Sequence, residues 1–258
     1  MNARQVIVSA GDALTAKLVE QAGYDGIWVS GFEASARLGL PDNGSITMTE
    51  MLNVAKPIVD AVKIPVWVDC DTGYGNFKRT VYEFERIGVA GICVEDNLPH
   101  FKQNSLWGDK IPLMDAKDFG RKLNQVAWDE RKIKIIARTE ALIRGYGFHE
   151  ANERLCHYAE CGADILMPHV RKSSDIVIYS PHIKSIMAIV PTKFPEYTNK
   201  QLFEMGYSMV IWANQTERVK IKAIREALQS LKFNDCAKHI EENLSATLDD
   251  MKGLTPDG

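Results

Sequence analysis

Two aspartates stand two residues apart in the segment VDCDTGYGN, as Asp69 and Asp71. At the end of a β-strand, residues spaced by two project to the same side, so the pair would aim both carboxylates at one point. Two carboxylates that close repel unless a cation lies between them. An all-oxygen pair suits a hard ion such as Mg²⁺, held by few protein ligands and several waters. Gly73 and Gly75 let the next loop turn closely over whatever the carboxylates hold. A pair of solvated or capping aspartates fits the DxD pattern equally well. Glu95, which ends the following apolar run, adds a third carboxylate and favours the metal. Asp42, in LPDNGS, offers a fourth, although alone it reads as a turn residue. Arg138 closes the run IKIIAR. An arginine there is poorly placed for solvent and well placed to grip a carboxylate or phosphate with its planar fork; a salt bridge to Glu140 or Asp164 is the alternative. His169 ends ILMPH. The polar stretch EDNLPHFKQNS, residues 95–105, reads either as a surface loop or as a lid carrying Lys102, Asn104 and Ser105.

These residues sit at the ends of apolar runs, and the runs recur with a pattern. In EQAGYDGIWVS, ERIGVAGICVE, AECGADILMPH and FEMGYSMVIWA a helix-like segment ends in glycine and a short apolar run follows. Gly23, Gly88, Gly162 and Gly206 suit the left-handed position that closes a helix. Runs apolar throughout are those of strands buried on both faces of a parallel sheet. Eight strands are expected, over 5–9, 27–30, 65–69, 92–95, 133–138, 164–168, 186–190 and 209–213. Amphipathic helical segments include 49–62, 148–161 and 218–231. Eight alternations in this length predict an α/β fold, a single (β/α)8 TIM-type barrel over residues 1–232. No GxGxxG follows the first strand, which removes the best sign of an open doubly wound sheet. Residues 233–258 form a C-terminal helical extension that caps the barrel or packs on a neighbouring subunit. Barrel enzymes carry their sites at the C-terminal strand ends. Here those ends hold Ser9; Trp28, Ser30 and Gly31; Asp69 and Asp71; Glu95 and Asp96; Arg138 and Glu140; His169; Pro191 and Thr192; and Asn214.

Composition narrows the partners. The net charge is −3 with both signs scattered, so nucleic acid is not an expected partner. No apolar run approaches 18 residues, so no membrane span is expected, and the N-terminus does not read as a signal peptide. Five cysteines, an odd number without a CxxC pair, fit free thiols and a reducing, cytoplasmic setting.

Assembled, these segments resemble the phosphoenolpyruvate mutase branch of the isocitrate lyase superfamily, from about Gly11 to Leu231. The resemblance rests on GIWVSGFEASARLGLPD, VWVDCDTGYGNF, GVAGICVEDN with KQNS behind it, IIARTEALIRGYG, GADILMPH, VPTKFP and SMVIWAN. It implies that Asp69 ligates Mg²⁺ directly, with Asp42, Asp71 and Glu95 holding its waters. It places Trp28 and the backbone of Ser30, Gly31 and Phe32 around the pyruvyl carboxylate and oxygens. Arg138, His169 and Asn104 would bind the phosphoryl group, and Lys102, Asn104 and Ser105 would ride on a gating loop. The lyases of the superfamily carry a catalytic cysteine in that loop; this chain has none between Cys93 and Cys156. The hydrolases usually have threonine where Asn104 stands. The resemblance therefore implies interconversion of phosphoenolpyruvate and phosphonopyruvate by a homodimer or homotetramer. A phosphonopyruvate hydrolase, a related enzyme of another 2-oxo acid, and a non-catalytic metabolite-binding barrel are the alternatives. Several positions depart from the family pattern. Asn97 replaces the lysine of EDK, and one additional residue separates Glu95 from Asn104. Pro168 precedes His169 as an extra residue, Val29 replaces glycine, and the segment after GYGNF is shorter.

Overall fold

The computed structural model describes residues 4–105, 111–127, 130–176 and 185–255; residues 256–258 of the expected C-terminal extension lie outside them. Strands β1 (Gln5–Ser9), β2 (Gly26–Val29), β3 (Val66–Asp69), β4 (Gly91–Glu95), β5 (Lys134–Thr139), β6 (Ile165–Pro168), β7 (Ile186–Ile189) and β8 (Met209–Trp212) pair in parallel in chain order. β8 closes the ring on β1, with Val6 opposite Val210 and Val8 opposite Trp212. This is the expected (β/α)8 barrel, and the strands lie within one residue of the expected bounds at either end. Between them run α1 (Ala13–Gln21), α2 (Gly31–Arg37), α3 (Met48–Ala61), α4 (Phe77–Arg86), α5 (Ala116–Ala127), α6 (Phe148–Glu160) and α7 (Asn199–Glu204). After β8 come α8 (Gln215–Asn234), α9 (Lys238–Asn243) and α10 (Leu248–Gly253). The four helix-closing glycines have φ of 80° to 99°, the left-handed turn that lets each helix drop into its next strand.

Strand alternation divides the buried residues into two cores. One, between sheet and helices, contains Val8, Ile27, Val29, Val68, Ile92, Val94, Ile135 and Leu166. The other fills the barrel with Ile7, Trp28, Trp67, Cys93, Ile136, Met167, Ala188 and Ile211. Gly91 makes room for the Trp67 indole, since a Cβ there would meet it at 2.5 Å. Moving two residues along each inward row keeps the same face. That step goes from Ile7 to Ser9, Trp28 to Ser30, Trp67 to Asp69, Cys93 to Glu95, Ile136 to Arg138, and Met167 to His169. The barrel's apolar interior thus passes, in register, into a polar rim. Val29, at the position where glycine is usual, points outward into the helix-facing core and leaves the rim untouched.

α8 differs from the other long helices. None of its 20 residues is buried. Its first turns are pinned to the barrel, where Glu217 pairs with Arg37 at 2.8 Å and Lys220 with Asp12 at 2.8 Å. Beyond them the helix leaves Ile221, Ile224, Leu228 and Leu231 exposed. Among the described residues no helix is long and apolar enough to cross a membrane, and all five cysteines are free.

Candidate active site

One cavity opens at the C-terminal ends of the strands, lined among others by Trp28, Ser30, Phe32, Asp42, Asp69, Lys102, Asn104, Ser105, Arg138 and His169. The structure therefore brings together most of the expected site residues. Asp71 and Glu95 lie immediately behind the wall, and Gly31 lies against the aspartates: a Cβ on it would sit 3.1 Å from Asp71 Oδ1. Glycine at 31 lets the start of α2 pack directly against the acidic pair.

The stretch 95–105 takes the lid arrangement. After the turn Pro99–Phe101, the chain returns and buries Lys102, Asn104 and Ser105. Arg144 donates to the Gln103 carbonyl at 2.8 Å and Arg171 to the Ser105 carbonyl at 2.7 Å, so the lid is tied down from behind. Lys102 Nζ lies 3.1 Å from Asp42 Oδ1 and 2.9 Å from Asp71 Oδ1. Asn104 Nδ2 donates to the other Asp42 oxygen. Asp42 is thus no mere turn residue: it is the anchor of the lid.

Arg138 occupies the centre of the opposite wall. Its guanidinium contacts Glu140 at 2.5 Å, Glu95 at 2.8 Å and Asp69 at 3.4 Å, and donates to Ser105 Oγ at 3.0 Å. The salt bridge to Glu140 therefore exists, and Asp164 pairs instead with Arg131 and Lys134. Glu140 also meets His169 Nδ1 at 2.7 Å and accepts from Ser105 Oγ at 2.7 Å. Pro168 ends β6, and the His169 N–H donates to the Thr139 carbonyl at 3.0 Å, so the extra residue leaves His169 on the rim. Asn97, in place of a lysine, is fully buried and donates to Glu95 Oε1 at 2.7 Å.

Five carboxylates, of Asp42, Asp69, Asp71, Glu95 and Glu140, thus share two cations, Lys102 and Arg138. Burial pushes Asp71 up to about 6 and Glu95 up to about 8, against the pull of Lys102 and Arg138 respectively. Glu140 goes the other way: burial opposes its charge, but Arg138 and His169 hold it well below the usual carboxylate range. Burial lowers His169 despite that carboxylate. The four acidic residues expected around a common ion do converge, but on two side-chain cations rather than one point. Among the described residues no three His, Cys, Asp or Glu side chains form a direct cage for a metal. An ion held by one or two carboxylates and otherwise by water does not need one. Asp71 Oδ2 is buried without a partner, and the excess of carboxylate oxygen is the donor set a hard divalent cation prefers, so Mg²⁺ fits this chain's residues.

Further residues support the site, some of them at strand ends and some beyond. Asp96, fully buried, accepts from Thr139 Oγ1 and Tyr158 Oη at 2.8 Å, and from the Glu140 N–H at 2.9 Å, fixing the backbone that carries Glu140. Lys122 of α5 donates to the Thr72 carbonyl at 2.8 Å behind the aspartate loop. Lys193 lines the cavity from beyond β7. Asp96 and Glu140 were legible as strand-end residues, Glu140 also by its spacing of two from Arg138; Lys122 and Lys193 carried no such signal.

Comparison with known proteins gives a consistent answer. The family model described as phosphoenolpyruvate phosphomutase matches residues 2–232. A phosphoenolpyruvate phosphomutase of Tetrahymena pyriformis is 32% identical over 249 residues, covering 93% of this chain and 83% of that protein. The crystal structure of a phosphoenolpyruvate phosphomutase from Streptomyces platensis subsp. rosaceus superposes with a TM-score of 0.93 at 33% identity, covering 98% of this chain and 91% of that one. A phosphonopyruvate hydrolase solved with oxalate and Mg²⁺ gives 0.86 at 29% identity, covering 97% and 89%.

Proposed function

The chain belongs to the phosphoenolpyruvate phosphomutase family, and from that premise we propose that it interconverts phosphoenolpyruvate and phosphonopyruvate, with Mg²⁺. The observation that carries this reading is the lid: Lys102, Asn104 and Ser105 are buried against the acidic cluster, and no cysteine lies among them. The catalytic cysteine that the lyases of the superfamily carry in this loop has no counterpart here. The mutase and hydrolase both need what the cavity offers, a grip on a 2-oxo acid and on a phosphoryl group.

In the direction from phosphonopyruvate, the C3–P bond breaks and a bond forms between phosphorus and the 2-oxo oxygen, which becomes the enol oxygen. No proton or electron is gained or lost. Such a transfer passes through a loose, metaphosphate-like state, so positioning and electrostatics do the work. Mg²⁺, held by Asp69 with Asp42, Asp71 and Glu95 around its waters, would neutralise negative charge building on the substrate's oxygens. The N–H groups at the start of α2, with Ser30 and Trp28, hold the carboxylate end. Arg138, kept in place by Glu140, and His169, whose Nδ1 is engaged by the same carboxylate, present the rest of their donors to the phosphoryl group. Asn104 completes that grip, and the tied lid excludes water, which would otherwise capture the phosphoryl group as phosphate. We further propose that copies of the chain associate through the exposed stripe of α8, and that it works in the reducing cytoplasm, which suits five free thiols.

Phosphorus NMR of phosphonopyruvate incubated with the protein and Mg²⁺ tests the reaction. A phosphoenolpyruvate signal that vanishes when the metal is chelated supports the mutase. Inorganic phosphate alone makes the chain a hydrolase, and an unchanged phosphonopyruvate signal removes both.

A further inference from the structure

Six strands put a polar or charged side chain at the rim position, but β7 and β8 lead to Val190 and Ala213. The cavity nevertheless continues along that side, where Thr192, Lys193 and Asn214 line it beyond the strands. Asn214 is one of four non-glycine residues with positive φ among the described residues, at 65°. It stands at the N-cap of α8, where asparagine ordinarily accepts from the helix's own N–H groups, yet its side chain makes no capping bond. It is only 9% exposed, and no partner for its amide is found among the described residues. Its backbone is held by both neighbours: its N–H donates to Ser9 Oγ at 2.9 Å, and Thr192 Oγ1 donates to the Ala213 carbonyl at 3.2 Å. The amide is thus presented to the cavity by a fixed, left-handed turn.

Charge singles out the residue beside it. Lys102 is committed to Asp42 and Asp71, and Arg138 to Asp69, Glu95 and Glu140. Lys193 also lines the cavity, and among the described residues it has no ion pair or hydrogen bond. A dianion entering a pocket already rich in carboxylate finds an uncommitted lysine on the β7–β8 side.

We infer that Lys193 and Asn214 form a second anion-recognising edge of the active site, which takes the phosphonate or phosphoryl end of the substrate. This rests on the function proposed above and assigns one end of that substrate. A tetrahedral dianion offers three oxygens; Arg138, His169 and Asn104 approach it from β4 to β6, and the new pair closes the opposite side. The pair then discriminates a phosphonate-bearing 2-oxo acid from one that lacks the second anion.

The test titrates the full-length protein, with saturating Mg²⁺, against two probes. Oxalate copies the pyruvyl end alone; sulfopyruvate adds a sulfonate that cannot transfer. The variants are Lys193→Met and Asn214→Gly, the latter keeping the positive φ and removing only the amide. Each substitution is expected to weaken sulfopyruvate by about tenfold, while oxalate stays within about twofold, the loss of one hydrogen bond to a charged group. Oxalate binding also shows that the variants are folded. Equal loss for both probes, or no loss for sulfopyruvate, overturns the inference and leaves the proposed function standing. Wild-type protein that binds oxalate but neither binds sulfopyruvate nor consumes phosphonopyruvate removes the proposed function, and this assignment with it.

Discussion

Glu140 meets Arg138, His169 and Ser105 at once, so a change there should disturb binding and lid together. Glu140→Gln keeps the shape and removes the charge that holds Arg138. Turnover of phosphonopyruvate should fall by about 100-fold or more, and stability by about 1–3 kcal/mol, since a buried cation loses one of its partners. Phosphorus NMR rates and urea titration read the two effects; wild-type turnover in the variant would end the positioning role. Glu33 raises a different issue. Both of its oxygens are buried without hydrogen-bond partners, and burial, only partly offset by the nearby Ser9 hydroxyl, pushes its carboxyl up to about 7. The unfolded chain releases that proton at about pH 4, the fold only at about 7. At pH values below both, the residue is protonated in both states and contributes no pH dependence. Between them the unfolded state is favoured progressively, and above 7 the full penalty of about 3 kcal/mol applies. Glu33→Gln should therefore lose this slope, so its urea midpoint gains on wild type from pH 5 to pH 8; parallel pH profiles would show that Glu33 is not held neutral. At this scale the sequence was legible where strand parity applies. Asp69, Glu95, Arg138 and His169 follow from apolar runs whose inward face can be counted. Asn214 was legible as a strand-end residue but its left-handed backbone was not, and Lys193, beyond the strand end, leaves no periodic trace. Nor does a sequence reveal that Arg138 faces three carboxylates, since pairing is decided across strands.

The lid shows what an element adds to its residues. Three of its side chains reach the cavity, but its backbone is held by Arg144 and Arg171, which come from segments after β5 and β6. Arg171→Met removes the donor to the Ser105 carbonyl without touching the cavity wall. If a closed lid is what denies water the phosphoryl group, the ratio of phosphate to phosphoenolpyruvate formed from phosphonopyruvate should rise by about tenfold, the worth of one hydrogen bond of about 1.4 kcal/mol. An unaltered ratio with slower turnover would mean that the tie serves folding alone. The segment 95–105 read equally as lid or loop in the sequence because its polarity suits both. Burial of Lys102, Asn104 and Ser105 decides between them, and that burial depends on Asp42, 60 residues before Lys102. The strands were easier: helix-closing glycines and wholly apolar runs are local signals, and they place β1 to β8 within a residue.

At the scale of the molecule, α8 is amphipathic in sequence yet buries none of its residues against its own barrel. Ile221, Ile224, Leu228 and Leu231 follow one another at helical spacing and stay 41–59% exposed, a stripe that should be facing a core. Near its base, an open apolar groove runs along α1, lined by Leu18, Val19, Tyr24, Trp212 and Val219. Stripe and groove lie on one chain, so in the proposed association a second copy would supply each with the surface it lacks, and a two-fold pairing would satisfy both at once. Burying the remaining exposed half of four such side chains is worth roughly 3–6 kcal/mol per helix before the cost of association. Light scattering should accordingly find a dimer or a multiple of it, and the thermal midpoint should rise with protein concentration. The double variant Ile224→Glu, Leu228→Glu puts charge into the stripe on turns that make no contact with the cavity. It should shift the mass toward the monomer and abolish the concentration dependence. A wild-type mass equal to one chain would leave the stripe without a partner copy. A variant of unchanged mass would place the interface elsewhere on the barrel.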